Sequence, residues 1–156
     1  GGGRRGFLAS SLAGGAAAAT AALGLPLPPA LAADSKEEMV SQLTDSLERL
    51  RPIPSLLAQA EWEKTRNILK TPPVNELWNL GDSKNTLVRL AKETGDFELL
   101  EMKDELAISL QMCDQYAYDN VFVYFQPGDG KFKVKEPTEM AERAMKQLEE
   151  AIKVVK

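Results

Sequence analysis

The sequence contains no histidine and a single cysteine, Cys113, among its 156 residues. Without imidazole the chain cannot form a Ser-His-Asp triad, use a histidine general base, or bind zinc, iron or haem through histidine. One thiol cannot make an internal disulfide, a Cys₄ zinc site or an iron–sulfur cluster. The chain could therefore act through its carboxylates, through its one thiol, or without any chemical step. We expect a protein that is not an enzyme, with no catalytic residue, no cofactor and no metal.

Charge is nearly absent from residues 1–33. Two adjacent arginines, Arg4 and Arg5, precede an apolar stretch at 7–25 that is rich in Ala, Leu and Gly. A charged start followed by an apolar run is typical of an export signal. Paired arginines ahead of a mildly apolar run indicate the twin-arginine route in particular.

The end of this leader offers a cleavage site. Ala30 and Ala32 follow three prolines and fit the small-x-small pattern of a signal peptidase, with the cut after Ala32. The stretch 7–25 is also close to the roughly 20 residues that cross a bilayer. We therefore expect residues 1–33 to be a targeting leader that is either cleaved or retained as a membrane anchor.

Residues 34–156 form an acidic segment long enough for one domain. They carry 17 basic and 23 acidic residues, a net charge of −6. Binding to nucleic acid relies on a basic face that neutralises phosphates. We expect no nucleic-acid partner.

Helix signals recur along this domain, and strand signals are nearly absent. Apolar residues repeat every three to four positions, Pro52 and Pro54 interrupt the first run, and Gly95 is a natural helix stop. The predicted helices cover about 35–50, 55–70, 81–94, 96–125 and a last segment from Pro137 onward. The sequence therefore predicts an all-α fold, an antiparallel (up-down) four-helix bundle with an additional helical segment, preceded by an apolar leader helix.

Three clusters on the long fourth helix have ordinary structural interpretations. Cys113 lies on the apolar stripe and is expected to be a buried, unreactive thiol. Tyrosines of the 116–120 cluster are expected to pack, while Asp119 and Asn120 satisfy buried backbone groups or a tyrosine hydroxyl. Four carboxylates are expected to form a solvated helix face: Glu98, Glu101, Asp104 and Glu105.

Residues 131–135 alternate basic and apolar side chains after a glycine turn. In an acidic domain, the clustered Lys131, Lys133 and Lys135 make a local positive spot that suits an acidic partner. The same pattern describes a short edge strand that lysines protect from pairing. The sequence leaves both interpretations open, and they are compatible.

The leader and a pattern of residues in the domain resemble a known family. The pattern consists of Trp62 and Arg66, Pro72-Pro73 with Leu77-Trp78, Cys113-Asp114-Gln115, Tyr118-Asp119-Asn120, and Gln126-Pro127-Gly128. It is similar to the PsbQ-like extrinsic (oxygen-evolving enhancer) proteins of photosystem II. The diatom-like type, from algae with red-lineage plastids, is the nearest. The resemblance covers most of residues 35–156, and none of its motifs is catalytic.

The resemblance implies a subunit on the lumenal side of the plastid thylakoid. Such proteins shield the oxygen-evolving complex and help retain calcium and chloride without ligating the metals. The implied partners are photosystem II core subunits and other extrinsic subunits, together with the thylakoid membrane through residues 7–25 if the leader is retained. The residues expected to dock on them are Arg49, Arg51, Lys131, Phe132, Lys133 and Lys135.

Two other functions remain open at this stage. The chain is also compatible with a membrane-tethered accessory or linker subunit of another thylakoid complex, such as photosystem I with its antenna. A small lumenal or periplasmic helical ligand-binding protein is the second alternative. It would need a pocket with convergent polar groups.

Overall fold

Helices account for all regular structure in residues 35–123 and 131–156, the part of the chain that the computed structural model describes. Two short 3₁₀ helices, Val74–Leu77 and Asp82–Lys84, supplement six α-helices in these ranges. The α-helices are α1 (Lys36–Leu50), α2 (Ile53–Ala58), α3 (Trp62–Leu69), α4 (Thr86–Thr94), α5 (Glu98–Val121) and α6 (Lys135–Val155). The predicted all-α fold is confirmed for these residues, whereas the predicted leader helix lies outside them.

Proline separates α1 from α2, as the sequence predicts. α1 ends at Leu50, and Pro52 precedes the first residue of α2, where a missing backbone N–H removes no helical hydrogen bond. The buried residues of α1 repeat every three to four positions and include Met39, Leu43, Leu47 and Leu50. The apolar stripe predicted for the first helix is therefore confirmed.

A second break, between α2 and α3, corrects the prediction of one helix over 55–70. Ala60 has a φ of +60°, in the left-handed region, and the Glu61 N–H donates to the Leu56 carbonyl at 2.9 Å. This turn contains neither glycine nor proline, so no residue in the sequence indicates it. Ala58, within the predicted helix, is exposed at the end of α2, whereas Trp62 at the start of α3 is buried.

α4 begins later than predicted. The segment 82–84 is a 3₁₀ turn, and Asn85 caps α4 by accepting hydrogen bonds from the Leu87 and Val88 N–H groups at 2.9 and 3.4 Å. The predicted stop at Gly95 is confirmed, since its φ of +76° is the left-handed conformation that glycine adopts readily.

α5 and α6 pack against each other more extensively than any other pair of described helices. Asn120 near the end of α5 bonds to Lys133 just before α6, and Ser109 Oγ donates to Gln147 Oε1 at 2.8 Å. Because a later residue of α5 contacts an earlier position near α6, the two helices run antiparallel. The fourth helix, predicted to reach residue 125, ends at Val121, and residues 124–130 lie outside the described part.

One leucine-rich core joins all six helices. Its fully buried members include Leu43, Leu57, Leu69, Leu90, Leu99, Leu106, Leu110 and Leu148. Trp62 is buried in this core, and the partly buried Trp78 packs against it. Leu80, three residues beyond the buried Leu77, is 38% exposed.

Candidate docking surface

The backbone of the lysine segment, residues 131–135, is fixed to α5 by one side chain. Asn120 is fully buried, and its Nδ2 donates to the Lys133 carbonyl while its Oδ1 accepts from the Lys133 N–H, both at 2.7 Å. We call this pair of bonds the Asn120 clamp. It confirms the expectation that Asn120 satisfies backbone groups, and it holds the segment at one position on the surface.

The clamp also corrects the edge-strand interpretation of the same residues. Residues 131–134 have no regular secondary structure, and α6 starts at Lys135. Within the described ranges, no strand pairs with this segment. A side-chain amide, which offers one donor and one acceptor, occupies the place that a neighbouring backbone would take in a sheet.

All three lysines of the segment are exposed. The Lys133 ammonium lies 3.8 Å from Asp119 Oδ2 and 5.5 Å from the centre of the Tyr116 ring. No ion pair holds Lys131 or Lys135 within residues 35–123 and 131–156. These two charges are available to an acidic partner without breaking an existing bridge.

Phe132, expected to dock, combines exposure with a firm internal contact. Its ring is 38% exposed and lies 5.3 Å from the Trp62 ring, at a tilt of 39°. Trp62 belongs to the core. The phenyl ring therefore packs on a core residue while more than a third of it stays exposed.

A group of aromatic and charged side chains joins α3 to the C-terminal end of α5. The Arg66 Nε donates to Asp114 Oδ1 at 3.0 Å, and its guanidinium lies 4.6 Å above the Tyr118 ring. Tyr118 in turn meets Phe122 edge to face at 4.8 Å. The Arg66–Asp114 pair is mostly buried, and it joins residues 48 positions apart in the sequence.

A cleft of about 300 Å³ opens beside the clamp. Lys131 and Lys133 contribute positive charge to it, Asp119 a negative one, and Phe122 an aromatic wall. Two lysines beside one carboxylate leave an excess of positive charge in the cleft. An acidic side chain on an aromatic or apolar neighbour fits this lining.

Arg49 and Arg51, also expected to dock, lie in a different place. Arg49 pairs with Asp45 at 3.1 Å and Arg51 with Glu48 at 2.7 Å, both within the neighbourhood of α1. The hydrogen bond to Glu48, reinforced by the charges of Glu48 and Glu149, raises the pKa of Arg51. Glu149 is 14 residues beyond Lys135 on α6, about 21 Å along the helix. The structure therefore does not gather the six predicted docking residues into one surface.

The remaining polar candidates keep their structural interpretations. Cys113 is fully buried, and desolvation, with a smaller effect from Asp114, raises the pKa of its thiol to about 12. The four carboxylates from Glu98 to Glu105 are exposed, as expected for a solvated face. Within the described ranges, no three acidic or cysteine side chains gather as metal ligands would.

A second cleft, of about 260 Å³, lies between α5 and α6. Glu105 and Met102 line it from α5, and Arg143, Lys146 and Glu150 line it from α6. These charges of opposite sign nearly balance, so the cleft has no preference for an anion or a cation.

The predicted targeting residues Arg4, Arg5, Ala30 and Ala32 lie outside the described part of the chain. Among the helices of residues 35–123 and 131–156, none combines the length and the apolar character that a membrane crossing requires.

Sequence reasoning missed how the parts of this surface are connected. Trp62 and Arg66 on α3, Asp114, Tyr118 and Asn120 on α5, and the lysine segment are brought together only by the fold. A polar residue on the buried side of a helical stripe, as Asn120 is, was the one available signal.

Comparison with protein-family models, curated proteins and solved structures finds no match to the chain.

Proposed function

We propose that this chain is a non-catalytic extrinsic subunit of photosystem II that supports and shields the oxygen-evolving complex and helps to retain calcium and chloride. The observation that carries the proposal is the Asn120 clamp, which fixes the lysine segment on the surface of an acidic domain. Two of its lysines, Lys131 and Lys135, have no ion pair within residues 35–123 and 131–156. A protein that works by contact needs charged groups at fixed positions, because ordering a loose loop on binding costs free energy.

The residues of the family resemblance support the same proposal. Trp62, Arg66, Asp114, Tyr118 and Asn120 are scattered over nearly sixty positions of the sequence. In the fold they share one end of α5 with the lysine segment. Trp62 and Asn120 are buried, and under the proposal they position the exposed Phe132 and the lysines rather than contact a partner themselves.

Each part of this surface has a distinct task under the proposal. Lys131 and Lys135 pair with carboxylates on a core or extrinsic subunit, and Lys133 exchanges its 3.8 Å contact with Asp119 for a partner carboxylate. Phe132, supported by Trp62, supplies apolar contact. Arg49 and Arg51 serve a second contact at the other end of α6. The docked helical body then covers the lumenal surface and lengthens the route by which calcium and chloride escape.

We also propose the finer features of fold and targeting. The antiparallel α5–α6 pair, with α1 and the α2–α3 region packed against it, supports an up-down four-helix bundle in which α4 is the additional segment. Residues 1–33 direct the chain across the thylakoid membrane, either with cleavage after Ala32 or with retention of 7–25 as an anchor. Residues 34–156 then lie on the lumenal side.

Charge reversal of the lysine segment tests the proposal. Salt-washed thylakoid membranes from the source organism are incubated with the full chain, and the bound fraction is measured after separation of photosystems I and II. The Lys131→Glu, Lys133→Glu, Lys135→Glu variant is expected to lose at least tenfold in binding to photosystem II, because three attractions become repulsions. Circular dichroism should show unchanged helicity.

A matched triple reversal at Lys36→Glu, Lys84→Glu and Lys92→Glu serves as the control, since these lysines are exposed, lie outside both the lysine segment and the region of Arg49 and Arg51, and give the same charge change. It should retain most of the binding. Equal loss in both variants would show that net charge alone governs the association. Association with photosystem I rather than photosystem II would favour the accessory-subunit alternative.

A further inference from the structure

The ammonium group of Lys133 is engaged by α5, whereas those of the two flanking lysines are not. Asp119 Oδ2 lies 3.8 Å from Lys133 Nζ, and the centre of the Tyr116 ring lies 5.5 Å from it. Lys131 and Lys135 make no ion pair with the part of the chain that the structure describes. One lysine of the segment is therefore already paired in the free chain.

The carboxylate of Asp119 divides its two oxygens between two partners. Its Oδ1 accepts a hydrogen bond from Gln115 Nε2 at 3.0 Å, and its Oδ2 is the oxygen near Lys133. Residues four apart on a helix lie on the same face, so the Gln115 amide reaches the carboxylate without leaving α5. Gln115 thereby orients Asp119 towards the lysine.

The position of Lys133 does not depend on this contact. The Asn120 clamp fixes its backbone through two hydrogen bonds of 2.7 Å. The distance of 3.8 Å to Asp119 is long for a charged pair, and the Lys133 and Asp119 side chains are 48% and 41% exposed. Exposed pairs of this kind contribute little to folding. The main effect of Asp119 is therefore on the charge that Lys133 presents to a partner.

We propose that Asp119 is an internal competitor for docking, a carboxylate that partly neutralises Lys133 and repels the partner carboxylate approaching it. The inference rests on the proposed function, because it concerns the same surface. Two carboxylates beside one ammonium group repel each other, so the partner binds more weakly while Asp119 stays in contact. Asp119 thus sets the affinity of docking below the value that the three lysines alone would give.

The opposite role for Asp119 predicts the opposite sign. A residue that held Lys133 ready for a partner would strengthen docking, and its removal would weaken it. Because the Asn120 clamp already supplies the fixed backbone, the geometry favours competition over positioning.

Neutralisation of Asp119 tests the proposal. The full chain is titrated onto salt-washed photosystem II membranes, and the concentration that gives half-maximal binding is measured. Asp119→Asn should bind about two- to fivefold more tightly, the factor that corresponds to one exposed ion pair. Weaker binding would overturn the proposal and make Asp119 a positioning residue, and unchanged binding would also overturn it.

Two comparisons separate the contact from net charge. Glu136→Gln removes the same charge from an exposed residue that adjoins the lysine segment and has no ion pair in the described ranges, so it should raise the affinity by a smaller factor. In a Lys133→Gln background, adding Asp119→Asn should have no effect, because this double-mutant cycle isolates the contact. An equal rise in Glu136→Gln, or the same rise in the absence of Lys133, would overturn the proposal.

Labelling of the free chain tests the contact without photosystem II. The rate of amine acylation at Lys133 is measured by mass spectrometry relative to Lys131. Asp119→Asn should raise this ratio, because an amine held in an ion pair is less available to the reagent, and an unchanged ratio would overturn the proposal. Failure of the unaltered chain to bind photosystem II would remove the proposed function and this inference together. Binding that Asp119→Asn does not strengthen would remove the inference alone.

Discussion

At the scale of single residues, Asn120 connects the packing of the core to the surface. Its carboxamide is fully buried, yet both of its functional atoms bond to the backbone of Lys133. An amide satisfies one N–H and one C=O at once through two separate atoms, which a carboxylate cannot do because it has no donor. The position of the lysine segment thus depends on one side chain.

Asn120→Ala is expected to release the segment. Loss of two hydrogen bonds should lower the free energy of unfolding by about 1–2 kcal/mol, since solvent can reach the freed groups in part. Trypsin should cut faster after Lys131 and Lys133 while the helices remain folded. Gln115→Ala, which removes an exposed amide bonded to Asp119 on the same helix, should change neither quantity measurably. Equal cleavage of both variants would contradict the clamp.

The stability of the chain is expected to depend on pH through the buried thiol of Cys113. Burial raises the pKa of its thiol from 9.0 to about 12, so the folded state keeps a proton that the unfolded state releases above pH 9.0. Stability from this group is fully present below pH 9.0 and falls as the pH rises towards 12. Urea unfolding of Cys113→Ala should show a smaller decline over this range than the unaltered chain. An identical decline would show that the thiol is not shielded.

At the scale of elements, the ends of the helices show where local chemistry suffices. Pro52 and Gly95 act through their own backbone, so the sequence predicted both boundaries. The break at Ala60 instead separates two helices, α2 and α3, that both bury residues in the core. An alanine in the left-handed region has no local preference for it.

Two glycine substitutions near the break at Ala60 should change the free energy of unfolding in opposite directions. Ala60→Gly should raise the free energy of unfolding by about 0.5–1 kcal/mol, because glycine adopts the φ of +60° without steric cost. Ala58→Gly, an exposed alanine within α2, should lower it by a similar amount. Denaturant melts of the two variants measure both effects. A loss of stability in Ala60→Gly would mean that the turn is not left-handed.

Much of the fold was predictable from periodicity, and little of the candidate surface was. Stripes such as Leu99, Leu106 and Leu110 identify buried faces because their spacing alone reflects the helix period. The Arg66–Asp114 pair and the Asn120 clamp join residues 48 and 13 positions apart. No spacing rule links them, since tertiary packing decides which helix ends meet.

At the scale of the whole molecule, charge is distributed unevenly over an acidic body. Residues 34–156 carry a net charge of −6, yet Lys131 and Lys135 lie together at one end without ion pairs in the described ranges. The exposed carboxylates from Glu98 to Glu105 lie at the start of α5, whereas the lysine segment is clamped to its C-terminal end. Such polarity orients a protein as it approaches a larger charged assembly, and added salt should reduce the rate of docking.

The central claim, that this chain acts by docking on photosystem II, is tested most directly by oxygen evolution. Photosystem II membranes from the source organism are stripped with concentrated salt, and their oxygen evolution is measured at limiting calcium and chloride. Added full chain should restore a substantial part of the lost rate, whereas the Lys131→Glu, Lys133→Glu, Lys135→Glu variant should restore little. No recovery with the unaltered chain, in membranes that recover with added calcium and chloride, would contradict the account.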